Sequence, residues 1–219
     1  VAAMITWILE AAGQSPSFII GGLLENYGTN ARYASDGPIV VEIDESDGSL
    51  VNVPVRHVLV NNLEADHLNY YKNGLNDVLV AVKRFLRRNS ELDTVFANAD
   101  DRGACEAMAL SRQAFTSFGM ETQTAKVQAA DVTVTGFQSH FTVLVDDAPL
   151  GSVTLPLPGR YNVANAIGAI ALTYQLGVPF IHIKDGIETF RGLENRFTVV
   201  EVGNTRVVKD YISHPTGIR

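Results

Sequence analysis

The residues best equipped for chemistry fall into three clusters. In the first, Glu42, Asp44, Glu45 and Asp47 place four carboxylates within six residues. Such groups repel one another unless a cation or solvent intervenes. They start at the end of an apolar run, residues 39–43, and in open parallel sheets ligands bind beyond the carboxyl ends of the strands. Glu42 falls inside that run, where a charge is costly unless paired or metal-bound. Two readings stand side by side: a cation–phosphate site, or a solvated acidic loop. The loop is not an EF-hand, because Gly48 at the sixth position would put Ile43 at the first, where an acid is required.

The second cluster is Asn61-Asn62-Leu63-Glu64-Ala65-Asp66-His67, just past a second apolar run at 57–61. An Asp–His pair can orient a hydrogen bond or ligate a metal, and two polar clusters at the ends of neighbouring strands favour a shared metal–phosphate crevice. The third is Leu157-Pro158-Gly159-Arg160-Tyr161-Asn162-Val163-Ala164-Asn165-Ala166. Asn162 and Asn165 are three apart on the start of a predicted helix and share a face. Their amides could meet a nucleobase edge, or simply serve a helix start.

The elements that must hold these clusters follow from periodicity. Residues 1–12 carry apolar side chains at helical spacing, with Gly13 as a stop. Runs at 39–43, 57–61, 94–98 and 114–118 read as strands, the first two as buried parallel strands. Helices are predicted over 75–88 and 102–110. That alternation argues for a doubly wound, mostly parallel α/β sheet with helices on both faces. From residue 125 the pattern changes. Runs at 127–135, 141–145 and 150–155 have no helix between them and should pair antiparallel. Helices return over 161–176 and 180–190, and Gly203-Asn204-Thr205 reads as a hairpin turn between 198–202 and 206–208.

Composition narrows the function classes. The 219 residues are 46% hydrophobic and 19% charged, with a formal net charge of −7, as in a soluble globular protein that builds a sizeable core. That balance supplies no basic face for nucleic acid. The basic run Lys83-Arg84-Phe85-Leu86-Arg87-Arg88 reads as the solvated end of a helix. No run approaches the roughly 18 apolar residues of a membrane span. The single cysteine, Cys105, permits no internal disulfide, so a reducing, cytoplasmic setting is expected. An apolar stripe that begins at Val1, and a terminal His214-Pro215-Thr216-Gly217 that looks like the opening of another element, lead us to expect a fragment of a longer protein.

Together these runs resemble the Mur ligases, ATP-dependent amide-forming enzymes of peptidoglycan synthesis. The likeness rests on Trp7-Ile8-Leu9-Glu10-Ala11-Ala12-Gly13, on Val41-Glu42-Ile43-Asp44-Glu45-Ser46-Asp47-Gly48, on the second and third clusters, and on Asp210-Tyr211-Ile212-Ser213-His214-Pro215-Thr216. The resemblance implies a central ATP-binding domain over residues 1–192, with 193–219 a linker, hairpin and start of a C-terminal ligase domain. It implies ATP and Mg²⁺ as cofactors, with Glu42 and His67 as metal-binding, catalytic residues around the nucleotide phosphates. It places Asn162 and Asn165 near the adenine, and Arg196 and Asp210 against the nucleotide from the C-terminal side. UDP-N-acetylmuramate and L-alanine are the implied substrates, joined through an acyl phosphate. The branch that recycles murein tripeptide is the alternative, and a non-catalytic Mg²⁺-binding α/β domain is a third reading.

Several positions depart from the family pattern. The Gly-rich phosphate loop ending in Gly-Lys-Thr/Ser, and the strand before it, have no counterpart here, since the chain contains no Gly-Lys pair. Tyr161 stands where histidine is usual, Glu194-Asn195 replaces a basic pair, Lys209 replaces an aspartate, and Ser213 stands where histidine is usual in the nearest branch. Ala81 occupies the position of a carbamylated lysine used by some members, so no carbamylation is expected. The isolated chain is expected to bind ATP weakly and turn nothing over.

Overall fold

A computed structural model describes residues 1–211. The expectations for Ser213 and for the segment from His214 onward lie outside the described residues. In chain order the elements are α1 (Ala2–Ala11), β1 (Ser17–Leu24), β2 (Thr29–Arg32), β3 (Ile39–Val41), a 3₁₀ turn (Ser49–Asn52), β4 (His57–Val60), α2 (Leu75–Arg88), β5 (Thr94–Asn98), α3 (Arg102–Ser111) and β6 (Thr116–Gly119). There follow β7 (Val127–Thr135), β8 (Gln138–Val145), β9 (Ala148–Leu155), α4 (Arg160–Gln175), α5 (Phe180–Glu188), β10 (Thr198–Val202) and β11 (Thr205–Lys209).

The main sheet runs in the order β4-β5-β6-β7-β8-β9. Strands β4 to β7 are parallel, and β7, β8 and β9 pair antiparallel, as the loss of helices after residue 125 predicted. Strand alternation divides the side chains between two cores. Val58, Val60, Val95 and Ala97 pack on one face with Val82, Phe85 and Leu86 of α2 and Ala107 and Met108 of α3. Phe96 and Phe118 point to the other face, into a core with Ile167 and Ile170 of α4 and Ile183 and Ile187 of α5. Helix α1 joins this second core through Ile8 and Leu9. The predicted apolar stripe of α2 is the buried one, and Arg84, Arg87 and Arg88 are exposed. The last two sit in its final turn, where cations complement the helix dipole.

A second sheet, β2-β1-β3, was not foreseen in full. Strand β1 (SFIIGGLL) lacks strict alternation and β2 (TNAR) is polar, so neither carries a period-2 signal. The run at 39–43 does form a strand parallel to β1, but it ends at Val41 and lies at a sheet edge, with Ile39 71% exposed. The expectation of a buried strand is therefore corrected. Nor are β3 and β4 hydrogen-bonded neighbours: each is an edge strand of its own sheet. Residues 192–194 bridge back to β1, with Glu194 N–H donating to Leu23 O at 2.9 Å, and the β10–β11 hairpin follows as expected. Among the described residues no helix is long and apolar enough to cross a membrane.

Candidate functional site

Glu42 is the first residue past β3, and it is exposed. The reasoning from a charge buried in a strand does not hold for it; its place at the strand's carboxyl end does. Its backbone N–H continues the ladder, donating to Ile19 O at 2.9 Å. Its Oε2 accepts from Gly21 N–H at 3.2 Å, and a Cβ at Gly21 would sit 3.0 Å from Oε1, so the missing side chain leaves room for the carboxylate. Val1, the N-cap of α1, lies close enough to feel the Glu42 charge. A helix N-terminus favours anions, and Glu42 places a carboxylate beside one.

The four carboxylates of the acidic loop divide by task. Asp44 Oδ1 accepts from Ser46 N–H at 2.6 Å, and Asp47 Oδ1 from Ser49 N–H at 2.8 Å. Bonds from Ser46 and Ser49 respectively hold both acids below the usual aspartate range. Asp44 and Asp47 thus fold the loop, whereas Glu42 and Glu45 direct their carboxylates to Gly21 and His67. Glu45 Oε1 lies 3.7 Å from Nε2 of His67, and Tyr71 Oη donates to Glu45 O at 2.6 Å. Among the described residues, Glu45 rather than Glu42 is the carboxylate within ion-pair reach of His67. The acidic loop after β3 is nonetheless fastened to the Asp-His segment after β4. His67 adopts a left-handed φ of 52°, a strained backbone for a non-glycine residue.

No group of three or more His, Cys, Asp or Glu side chains among the described residues could by itself hold a metal. Mg²⁺ keeps several waters and usually takes one or two protein carboxylates plus substrate phosphates, so it does not require such a group. Glu42 and Glu45 offer the oxygen donors that such an ion prefers, whereas the His67 imidazole is an unusual ligand for it.

A second grouping surrounds the start of α4. Gly159, at φ 98°, turns the chain into the helix. Asn162 is buried, and its Nδ2 donates to Pro158 O at 2.8 Å, so this side chain closes the first turn. Asn165 instead reaches the main sheet: Asn61 Nδ2 donates to its Oδ1 at 2.9 Å. Asn61 Oδ1 is buried without a hydrogen-bond partner. Burial pushes the Tyr161 hydroxyl up, and the Asp210 charge adds to that, while Arg196 acts in the opposite sense. Arg196, Asp210 and Tyr161 therefore lie together, with the Arg196 guanidinium 5.9 Å from the Tyr211 ring. Asp210 Oδ1 is buried and unpartnered. The sequence put Asn162 and Asn165 on one face of this helix, and the family resemblance alone singled out Arg196 and Asp210; neither identified Asn61 or Tyr161 as partners, because both contacts join residues distant in sequence.

A cavity of 460 Å³ is lined by Gly13, Gln14, Ser15, Ala34, Asp36 and Pro38. It opens where β1 and β3 begin, at the end of those strands away from Glu42, and takes no part in this grouping.

The pattern that describes the Mur ligase middle domain matches residues 1–173. The chain belongs to the Mur ligase family. The UDP-N-acetylmuramate–L-alanine ligase of Geotalea uraniireducens (strain Rf4) is 35% identical over 218 residues, 99% of this chain and 47% of that protein. The enzyme of the same name from Persephonella marina is 34% identical over 217 residues, 99% of this chain and 46% of its own. Among solved Mur ligase structures, the UDP-N-acetylmuramate-alanine ligase of Thermotoga maritima superposes with a TM-score of 0.84 at 25% identity, covering 99% of this chain and 49% of that one. This Mur ligase chain spans about half the length of the curated relatives it matches.

Proposed function

We propose that the chain is the ATP-binding part of a ligase that joins UDP-N-acetylmuramate to L-alanine, acting in the cytoplasm in peptidoglycan synthesis. Residues 1–192 would form the central domain, and 193–219 the passage into a C-terminal ligase domain. The observation that carries this reading is the match to L-alanine ligases over 99% of the chain. The placement of Glu42 and His67, on loops fastened to each other beyond the ends of β3 and β4, supports it.

In this reading the substrate carboxylate attacks the γ-phosphate, giving an acyl phosphate and ADP, and the amine of L-alanine then displaces phosphate. Both nucleophiles belong to substrates, so the protein's task is positioning and charge stabilisation. Mg²⁺ would be held by Glu42 and His67, where it screens the phosphate charge. Glu45 orients His67 from the acidic loop, and Asp44 and Asp47 fix that loop. Asn165, steadied by Asn61, would meet the adenine. Asn162 acts one step back, by closing the turn on which Asn165 stands. Arg196 and Asp210 would approach from the C-terminal side.

A second reading has its own support: the UDP-N-acetylmuramate:L-alanyl-γ-D-glutamyl-meso-diaminopimelate ligase of Neisseria meningitides superposes on 88% of the chain with a TM-score of 0.76 and 27% identity. Phosphate release by the complete protein with UDP-N-acetylmuramate, ATP and Mg²⁺ separates the two. Stimulation by L-alanine supports the first, and stimulation by L-alanyl-γ-D-glutamyl-meso-diaminopimelate alone the second. Release stimulated by neither acceptor would overturn both.

A further inference from the structure

Asp100 lies just past β5 and carries no role in the site described above. Its carboxylate accepts three consecutive backbone N–H groups from the loop after β6. Oδ2 takes Met120 at 2.5 Å and Glu121 at 3.1 Å, and Oδ1 takes Thr122 at 2.7 Å. Three N–H groups converging on one carboxylate form an anion cradle, filled here by a side chain of the same protein. The fit depends on Gly119, where a Cβ would come within 2.8 Å of Asp100 Oδ2. Ala99 N–H donates to Phe118 O at 2.8 Å, and Thr122 Oγ1 donates to Ala99 O at 3.2 Å, so the two strand ends are tied in both directions. Burial pushes the Asp100 carboxyl up, and the N–H bonds outweigh it and hold the group below the usual aspartate range.

The fastened loop reaches onward. The Glu121 carboxylate, whose own N–H is in the cradle, accepts a charge-assisted hydrogen bond from Arg160 Nη2. Arg160 is the first residue of α4, two positions before Asn162 and five before Asn165. The connection therefore runs from the end of β5, through the loop after β6, to the helix start that carries the two asparagines.

We propose that Asp100 is a positioning residue for the nucleotide site: through Glu121 and Arg160 it fixes the first turn of α4, and with it the approach of Asn165 to the base. This rests on the proposed ligase reading for its functional half and on the geometry alone for its structural half. Two measurements on the complete protein test the halves separately. The first is hydrogen exchange, which needs no activity. Asp100→Asn, which keeps the side chain's shape and removes its charge, should speed exchange at 120–122 and also at 162–165. Glu121→Gln should speed it at 162–165 alone. Faster exchange confined to 120–122 in the Asp100→Asn protein would overturn the relay.

The second is steady-state kinetics. Asp100→Asn should raise KM for ATP about tenfold, as for a lost hydrogen bond to a charged group, with kcat and KM for the amino acid unchanged. Asp100→Asn and Glu121→Gln combined should cost no more than the larger single effect. Additive effects, or a fall in kcat with KM for ATP unmoved, would overturn the positioning role. An inactive wild type would instead defeat the ligase reading and leave the exchange result to decide the relay.

Discussion

Asn61 and Asn165, 104 residues apart in sequence, share a hydrogen bond of 2.9 Å between the end of β4 and the second turn of α4. The bond fixes the orientation of the Asn165 amide. It also ties the end of β4 to the helix that carries Asn162.

Asn61→Leu should therefore weaken nucleotide binding without touching the acidic loop. We expect KM for ATP in the complete protein to rise by about three- to tenfold, the scale of one neutral hydrogen bond, with the Mg²⁺ dependence unchanged. ATP titrations at several Mg²⁺ concentrations check this.

Glu42→Gln should do the opposite. Loss of the carboxylate charge at the end of β3 should raise the Mg²⁺ concentration for half-maximal activity by about tenfold or more, and stripping Mg²⁺ with a chelator should abolish turnover of the unaltered protein. Glu45→Gln should give a weaker version of the same shift, because in the proposed site it would act on the metal only through His67.

Packing between α4 and the sheet offers a test of the fold that involves no ligand. A Cβ at Gly168 would lie 2.9 Å from the Phe118 ring. Phe118 is fully buried in the main core. Gly168→Ala should lower unfolding stability by about 1–3 kcal/mol through overpacking, and Phe118→Leu in the same protein should restore part of it. Denaturant titration measures both.

The acid side of the stability profile should depend on Asp100. Its folded-state carboxyl titrates below the unfolded value, so the folded protein holds the ionised form more strongly. That contribution is complete above the ordinary aspartate pKa of about 3.9 and is lost as pH falls through the lower folded value. Asp100→Asn should be less stable at neutral pH and should show a shallower loss of stability below about pH 4. Unfolding midpoints from pH 7 down to 3 check the sign.

Much of this architecture was legible in the sequence, for identifiable reasons. Residues 75–88 carry a sharp 3.6-residue stripe, and α2 occupies that range. Strands after residue 125 alternate with no intervening helix, and they pair as predicted. The failures share a cause. Strands β1 and β2 have no period-2 pattern, since a Gly-Gly pair interrupts β1 and β2 is a polar edge. Strand β3 has the composition of a buried strand yet lies exposed, because burial depends on which element covers an edge and sequence composition does not record that. The site shows the same division. Glu42, His67, Asn162 and Asn165 stood out by local spacing, and Arg196 and Asp210 only by the family resemblance, whereas the links from Glu45 to His67 and Asn61 to Asn165 are long-range contacts that no local pattern encodes.

The central claim is that the loops after β3 and β4 form one magnesium–nucleotide site. A crystal structure of the complete protein with Mg²⁺ and a non-hydrolysable ATP analogue tests it most directly. We expect one ion bonded to Glu42 and to the analogue's phosphate oxygens at about 2.1 Å, with His67 turned from Glu45 toward the same ion. An ion bound elsewhere, with Glu42 still closed on Gly21 and His67 still on Glu45, would contradict it.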